Sequence, residues 1–92
     1  MRHIDKQRSN LNKIRMKVQV LFFGVLSEVT GTQAKYYSGV KSTGDLVLKI
    51  RDDFPEIAHY DYRISVNNVL TDAETDLKDG DELALMPPFA GG

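Results

Sequence analysis

Two short runs of alternating apolar residues lie far apart in this chain, with a single long amphipathic segment between them. Residues 17–24 place Val18, Val20 and Phe22 on one side and Lys17, Gln19, Leu21 and Phe23 on the other, because side chains alternate along a strand. Residues 77–86 read as a turn at Asp79-Gly80 followed by a second strand, with Leu83 and Leu85 facing one way and Ala84 and Met86 the other. Between the two, Ser42 or Thr43 is placed to cap a helix and Asp45 falls in its first turn. Leu46, Val47, Ile50 and Phe54 then share one helical face. Pro55 ends that helix, since the residue before a proline is pushed out of the α region. One amphipathic helix covers one face of one sheet. The first and last strands are the most apolar and are therefore expected side by side at the sheet centre.

The remaining elements fit that plan. Residues 25–31 make two helical turns stopped by Gly31 in the left-handed position. Residues 34–38 form a strand antiparallel to the first, and residues 63–67 form another with Ile64 and Val66 inward. The order is strand, short helix, strand, helix, strand, turn region, strand. It predicts an α+β roll of the β-grasp, or ubiquitin-like, type, with a mixed sheet packed on one main helix. Residues 1–15 are expected to form a basic extension, flexible or marginally helical: Ile4, Leu11 and Ile14 share a helical face but are too few to hold a helix alone. Met16 reads as a second start. The folded domain is expected over residues 16–92, with a protruding tail over 87–92.

At 92 residues the chain is one small domain. No apolar run approaches the roughly 20 residues that span a bilayer, and the N-terminus has no apolar signal region, so no membrane association is expected. There is no cysteine, which excludes disulfides, thiolate metal sites and a cysteine nucleophile and fits a cytoplasmic location. Residues 1–17 carry six basic side chains against Asp5 alone, whereas residues 18–92 carry six basic and twelve acidic ones. The acidic body argues against nucleic acid as a partner. His3 and His59 are isolated. Asp79, Asp81 and Glu82 lack the spacing of a calcium loop. Neither the serines nor the scattered glycines form a nucleophile or phosphate-loop motif, so a self-contained enzyme is not expected. No metal and no permanently bound cofactor are expected.

Strand parity carries the first functional signal. If Val18, Val20, Phe22, Leu83 and Leu85 face the helix, then Leu21, Phe23, Ala84 and Met86 form an apolar patch on the opposite face, and such a patch marks a partner interface. The second signal is the ending Pro87-Pro88-Phe89-Ala90-Gly91-Gly92. Two prolines cannot continue a ladder and prefer a stiff extended form. Phe89 is placed to anchor on a partner. Ala90 and the two glycines are small enough to thread a narrow channel. The carboxylate of Gly92 is then the working group. It is inert until activated; adenylation by ATP makes it an acylating agent. Attack by a persulfide sulfur leads to a thiocarboxylate, and attack by a lysine amine leads to an amide, as in ubiquitin-type conjugation.

Residues 16–92 resemble the small, sulfur-carrying subunit of molybdopterin synthase, the MoaD-like branch of the ubiquitin-like sulfur carriers. The resemblance rests on "VLFFG" at 20–24, "LSEVTGT" at 26–32 and "LKDGDELALMPPFAGG" at 77–92. It implies that an E1-like adenylating enzyme uses ATP to activate Gly92, that a sulfur-transfer protein converts it to a thiocarboxylate, and that the tail enters the large molybdopterin synthase subunit to donate sulfur to precursor Z. It also implies that the outward apolar face binds both partners in turn. Met86 and Phe89 stand where the family commonly has phenylalanine and valine, and the basic extension is not a family feature. The alternatives are a carrier for thiamine or another thiolation pathway, and a ubiquitin-like protein modifier.

Overall fold

The computed structural model describes residues 16–88; the extension 1–15 and residues 89–92 lie outside the described residues. Eight elements follow one another: β1 (Lys17–Phe22), α1 (Val25–Thr30), β2 (Ala34–Ser38), α2 (Thr43–Asp53), a 3-10 helix (Pro55–His59), β3 (Arg63–Val66), β4 (Val69–Thr71) and β5 (Glu82–Met86). The five strands form one sheet in the order β2-β1-β5-β3-β4. β1 and β5 run parallel at its centre, and every other pair is antiparallel. This is the mixed β-grasp roll that the sequence pattern predicts.

The core lies between the sheet and α2. Val18, Val20, Phe22, Leu83 and Leu85 supply the sheet side, and Leu46 and Ile50 the helix side, all of them buried. Leu26 from α1 closes one end. Ile64 and Val66 are half-buried and pack inward, as their alternation requires, and Val47 is half-buried at the helix margin.

The helix boundaries follow their sequence signals. Ser42 is the N-cap of α2: its Oγ accepts from the Asp45 N–H at 3.3 Å and donates to Glu74 at 2.6 Å. The Thr43 hydroxyl accepts from the Thr75 N–H at 3.0 Å, which ties the 72–77 loop to the start of the helix. Gly31 closes α1 at φ 74° with its N–H on the Ser27 carbonyl. Pro55 ends α2, but the chain turns at once into the 3-10 helix, which the pattern does not predict; there Ile57 is fully buried. β4 is a second departure. Residues 67–71 read as a strand end followed by turn, yet Asn67 and Asn68 both take positive φ, 50° and 71°. Two such residues in succession make a type I′ hairpin turn, and β4 pairs back on β3.

One polar cluster at the edge of the core, built on the buried Tyr37, is expected to depend on pH. Tyr37 Oη and Lys35 Nζ both donate to Asp53 Oδ2 at 2.8 Å. Lys35 and, next, Tyr37 hold the Asp53 carboxyl below its ordinary value. Burial, then the bond to Asp53, pushes the Tyr37 hydroxyl upward. A depressed carboxyl stabilises the fold above its unfolded pKa of about 4, and that contribution is lost as pH falls through the folded value. Lys35 and Asp53 are 40% and 38% exposed, so solvent screening limits the pair to roughly 0.2–1 kcal/mol. A Lys35→Met variant is expected to lose less stability than wild type between pH 6 and pH 3 in urea unfolding. An unchanged difference would assign the acid sensitivity to other groups.

Candidate partner-binding face and C-terminal arm

Sheet register sets the face opposite α2. Leu21 of β1 lies beside Ala84 of β5, and Ala84 lies beside Ser65 of β3. The residue that follows β1, Phe23, donates its N–H to the Leu85 carbonyl at 3.0 Å, so the two central strands stay joined just beyond the end of β1. Leu21, Phe23, Ala84 and Met86, inferred from parity alone, therefore share one surface. They line an open groove of about 620 Å³ that reaches Pro87. Phe23 is 46% exposed. Burying that ring on a partner is favourable at about 25 cal/mol per Å² of apolar surface.

Several lining residues were not singled out in the sequence. Gly24 and Val25 form the wall beside Phe23, and Asn68 and Glu82 form the rim at the opposite end. Ser65 lies in the floor and is buried. Leu70 sits across from Ser65 on the edge strand and is 46% exposed, which prolongs the apolar row. The parity rule applied to residues 63–67 places Ser65 outward, since Ile64 and Val66 point in. The Asn67-Asn68 pair is the signal that would have found β4 and with it Leu70.

After β5, exposure begins at the second of the two prolines. Pro87 is buried against the groove, and Pro88 is the first exposed residue after β5. Phe89, Ala90, Gly91 and Gly92 lie outside the described residues. Among the described residues no group of three or more histidine, cysteine or acidic side chains is placed to hold a metal ion, and no helix is long and apolar enough to cross a membrane. Leu21, Phe23, Val25, Ala84, Met86 and Pro87 make up most of the groove's described lining, so what it offers a partner is apolar contact.

Fold and face together define a ubiquitin-like β-grasp protein with an apolar sheet surface running to the root of its C-terminal segment. A model of the ThiS family matches residues 20–92, that is, from within β1 to Gly92. The chain belongs to the ThiS family, and so to the MoaD/ThiS-like sulfur carriers. It is 32% identical over 82 residues to the molybdopterin synthase sulfur carrier subunit of Mycobacterium tuberculosis, covering 84% of this chain and 99% of that one. The solution structure of small archaeal modifier protein 1 from Methanosarcina acetivorans superposes with a TM-score of 0.71 at 27% identity, covering 83% of this chain and 96% of the other. The complex of subunits 1 and 2 of the molybdopterin-converting factor from Helicobacter pylori 26695 contains a chain matching with a TM-score of 0.60 at 30% identity, covering 84% and 100%.

Proposed function

We propose that this protein is the sulfur-carrying small subunit of a molybdopterin synthase, and that Gly92 is the carrying residue. The observation that supports this most directly is the apolar groove of Leu21, Phe23, Ala84 and Met86, which runs up to Pro87 at the root of the Pro-Pro to Gly-Gly segment. A surface that docks and an arm that delivers are adjacent, and neither requires a catalytic side chain in this chain. The relative in Mycobacterium tuberculosis is itself a molybdopterin synthase sulfur carrier subunit, and the Helicobacter pylori relative is held in a complex with a second subunit.

The chemistry follows from the carboxylate. An E1-like partner joins it to the α-phosphate of ATP, and pyrophosphate leaves. A persulfide sulfur from a sulfur-transfer protein then attacks the acyl carbon, and AMP leaves. A thiol cleaves the resulting S–S bond, so the donor is oxidised to a disulfide and the thiocarboxylate is released. In the large subunit that sulfur is passed to precursor Z, and water finally returns the Gly92 carboxylate. Pro88, Phe89, Ala90 and Gly91 thread the partner's channel, with Pro87 as the base of the arm.

A second reading, a protein modifier, is favoured by the likeness to small archaeal modifier protein 1. One experiment separates the two. The chain is used as bait with its C-terminus free, and the partners and its intact mass are read. Recovery of a large synthase subunit together with an oxygen-to-sulfur mass gain supports the carrier. Lysine-linked conjugates without that gain support the modifier. Recovery of a thiazole synthase would move the carrier to the thiamine pathway.

A further inference from the structure

We infer that Gly24 is a positioning residue for the C-terminal arm: its bare Cα is the seat on which the Pro87 ring rests, and that seat sets the direction in which the arm leaves the domain. The inference rests on the carrier reading above for its consequence in transfer.

Gly24 follows β1 with φ 58° and ψ −137°, the conformation of the first central residue of a type II′ turn, where glycine dominates. The turn is fixed on both sides. The Phe23 carbonyl accepts from the Leu26 N–H at 3.1 Å, and the Gly24 carbonyl accepts from the Ser27 N–H at 3.1 Å and from the Ser27 hydroxyl at 2.8 Å. The Phe23 N–H binds the Leu85 carbonyl at 3.0 Å, which ties the turn to the strand that ends just before Pro87. A Cβ placed on Gly24 would lie 3.0 Å from Pro87 Cγ and 3.5 Å from Pro87 Cδ. Gly31, Gly39 and Gly80 also have positive φ, yet a Cβ on any of them meets nothing within 4 Å. Turn geometry therefore accounts for those three glycines but leaves the close approach at Gly24 over. Pro87 is buried there and Pro88 is exposed. The Pro87 ring also fixes its own φ, so a ring seated on one surface gives the following residue a defined heading.

The test compares Gly24→Ala with Gly39→Ala, a second glycine of positive φ (74°) at which a Cβ would meet nothing within 4 Å. Both variants are expected to melt at lower temperature than wild type. Thiocarboxylated Gly24→Ala is expected to transfer sulfur about tenfold more slowly at saturating large subunit, since small misplacements of a reacting group are costly; the loss falls on that rate rather than on Kd. Gly39→Ala is expected to transfer at the wild-type rate. Pro87→Ala alone, which removes the seated ring, is expected to slow transfer as Gly24→Ala does. Equal transfer by the two glycine variants, or transfer at the wild-type rate by Pro87→Ala, overturns the inference. A second readout needs no partner: Gly24→Ala shifts the backbone amide resonances of residues 89–92 in the free protein and Gly39→Ala does not. Unmoved resonances overturn the inference even if the carrier reading fails, whereas failure of the wild-type protein to carry sulfur strikes the proposed function alone.

Discussion

A single alanine added after Gly92 is expected to stop sulfur delivery, to below about a thousandth of the wild-type single-turnover rate, while the domain melts and docks as before. An added residue carries the reactive carboxyl up to about 3.5 Å further along an extended chain, and an error of about 1 Å at a reacting centre already costs roughly 10²-fold. The new terminal residue also brings a Cβ to a place where glycine has none. Among the described residues the core is closed by β5 and the lining of the groove runs to Pro87, so the melt and the docking are expected to be unchanged. Three measurements check it, namely single-turnover transfer, a thermal melt by circular dichroism, and a binding titration with the large subunit. If the extended protein still transferred at more than about a tenth of the wild-type rate, the reacting group could not be held so narrowly, and the terminal-carboxylate mechanism would be wrong. If docking failed together with transfer, the arm rather than the groove would be the main source of affinity.

The central part of the fold was legible because its signals are periodic and local. Alternation in residues 17–23 and 82–86 fixes which side chains face the helix, and one helix with a Ser42 cap and a Pro55 stop leaves only one sheet face to cover. The same alternation gave the outer face without further input. What was missed has shorter signals. β4 is three residues long, too short for a period, and its evidence lies in the turn before it, where asparagine tolerates positive φ at Asn67 and Asn68. The 3-10 helix after Pro55 has no pattern of its own; it forms because Ile57 finds space in the core. Ser65 is polar, so a search for apolar outward residues passes over it, although it is buried in the groove floor between Ala84 and Leu70.

Gly24 is the instructive case. As a glycine after a strand it reads as punctuation, and its turn would explain it fully. Its second constraint comes from Pro87, distant in sequence and brought to it only because β1 and β5 pair in parallel. A contact of that kind cannot be read from either segment alone. Of the two successive prolines only the second is exposed; the first is buried on the domain beside Gly24.

Ala84→Asp is expected to weaken docking to the large subunit by at least about 100-fold while leaving the domain folded. Ala84 sits between Leu21 and Ser65 in the middle of the outer face, where the groove is open to water in the free protein. A carboxylate there stays hydrated, and the free domain loses only about 1 kcal/mol from the poorer strand propensity of aspartate. Seating the same carboxylate against an apolar partner surface removes its water without supplying a counter-charge, at an expense of several kcal/mol for one ion. The control is the next residue. Leu85 is fully buried against the helix, so Leu85→Asp places the charge in the core and is expected to unfold the domain. Moving a charge by one residue should thus exchange loss of binding for loss of fold, as the two-residue period of a strand requires. Calorimetric titration and a thermal melt of both variants read the two effects separately. Wild-type affinity in Ala84→Asp would show that partners dock elsewhere, and unfolding of Ala84→Asp like Leu85→Asp would show that its side chain serves the core and not the outer face.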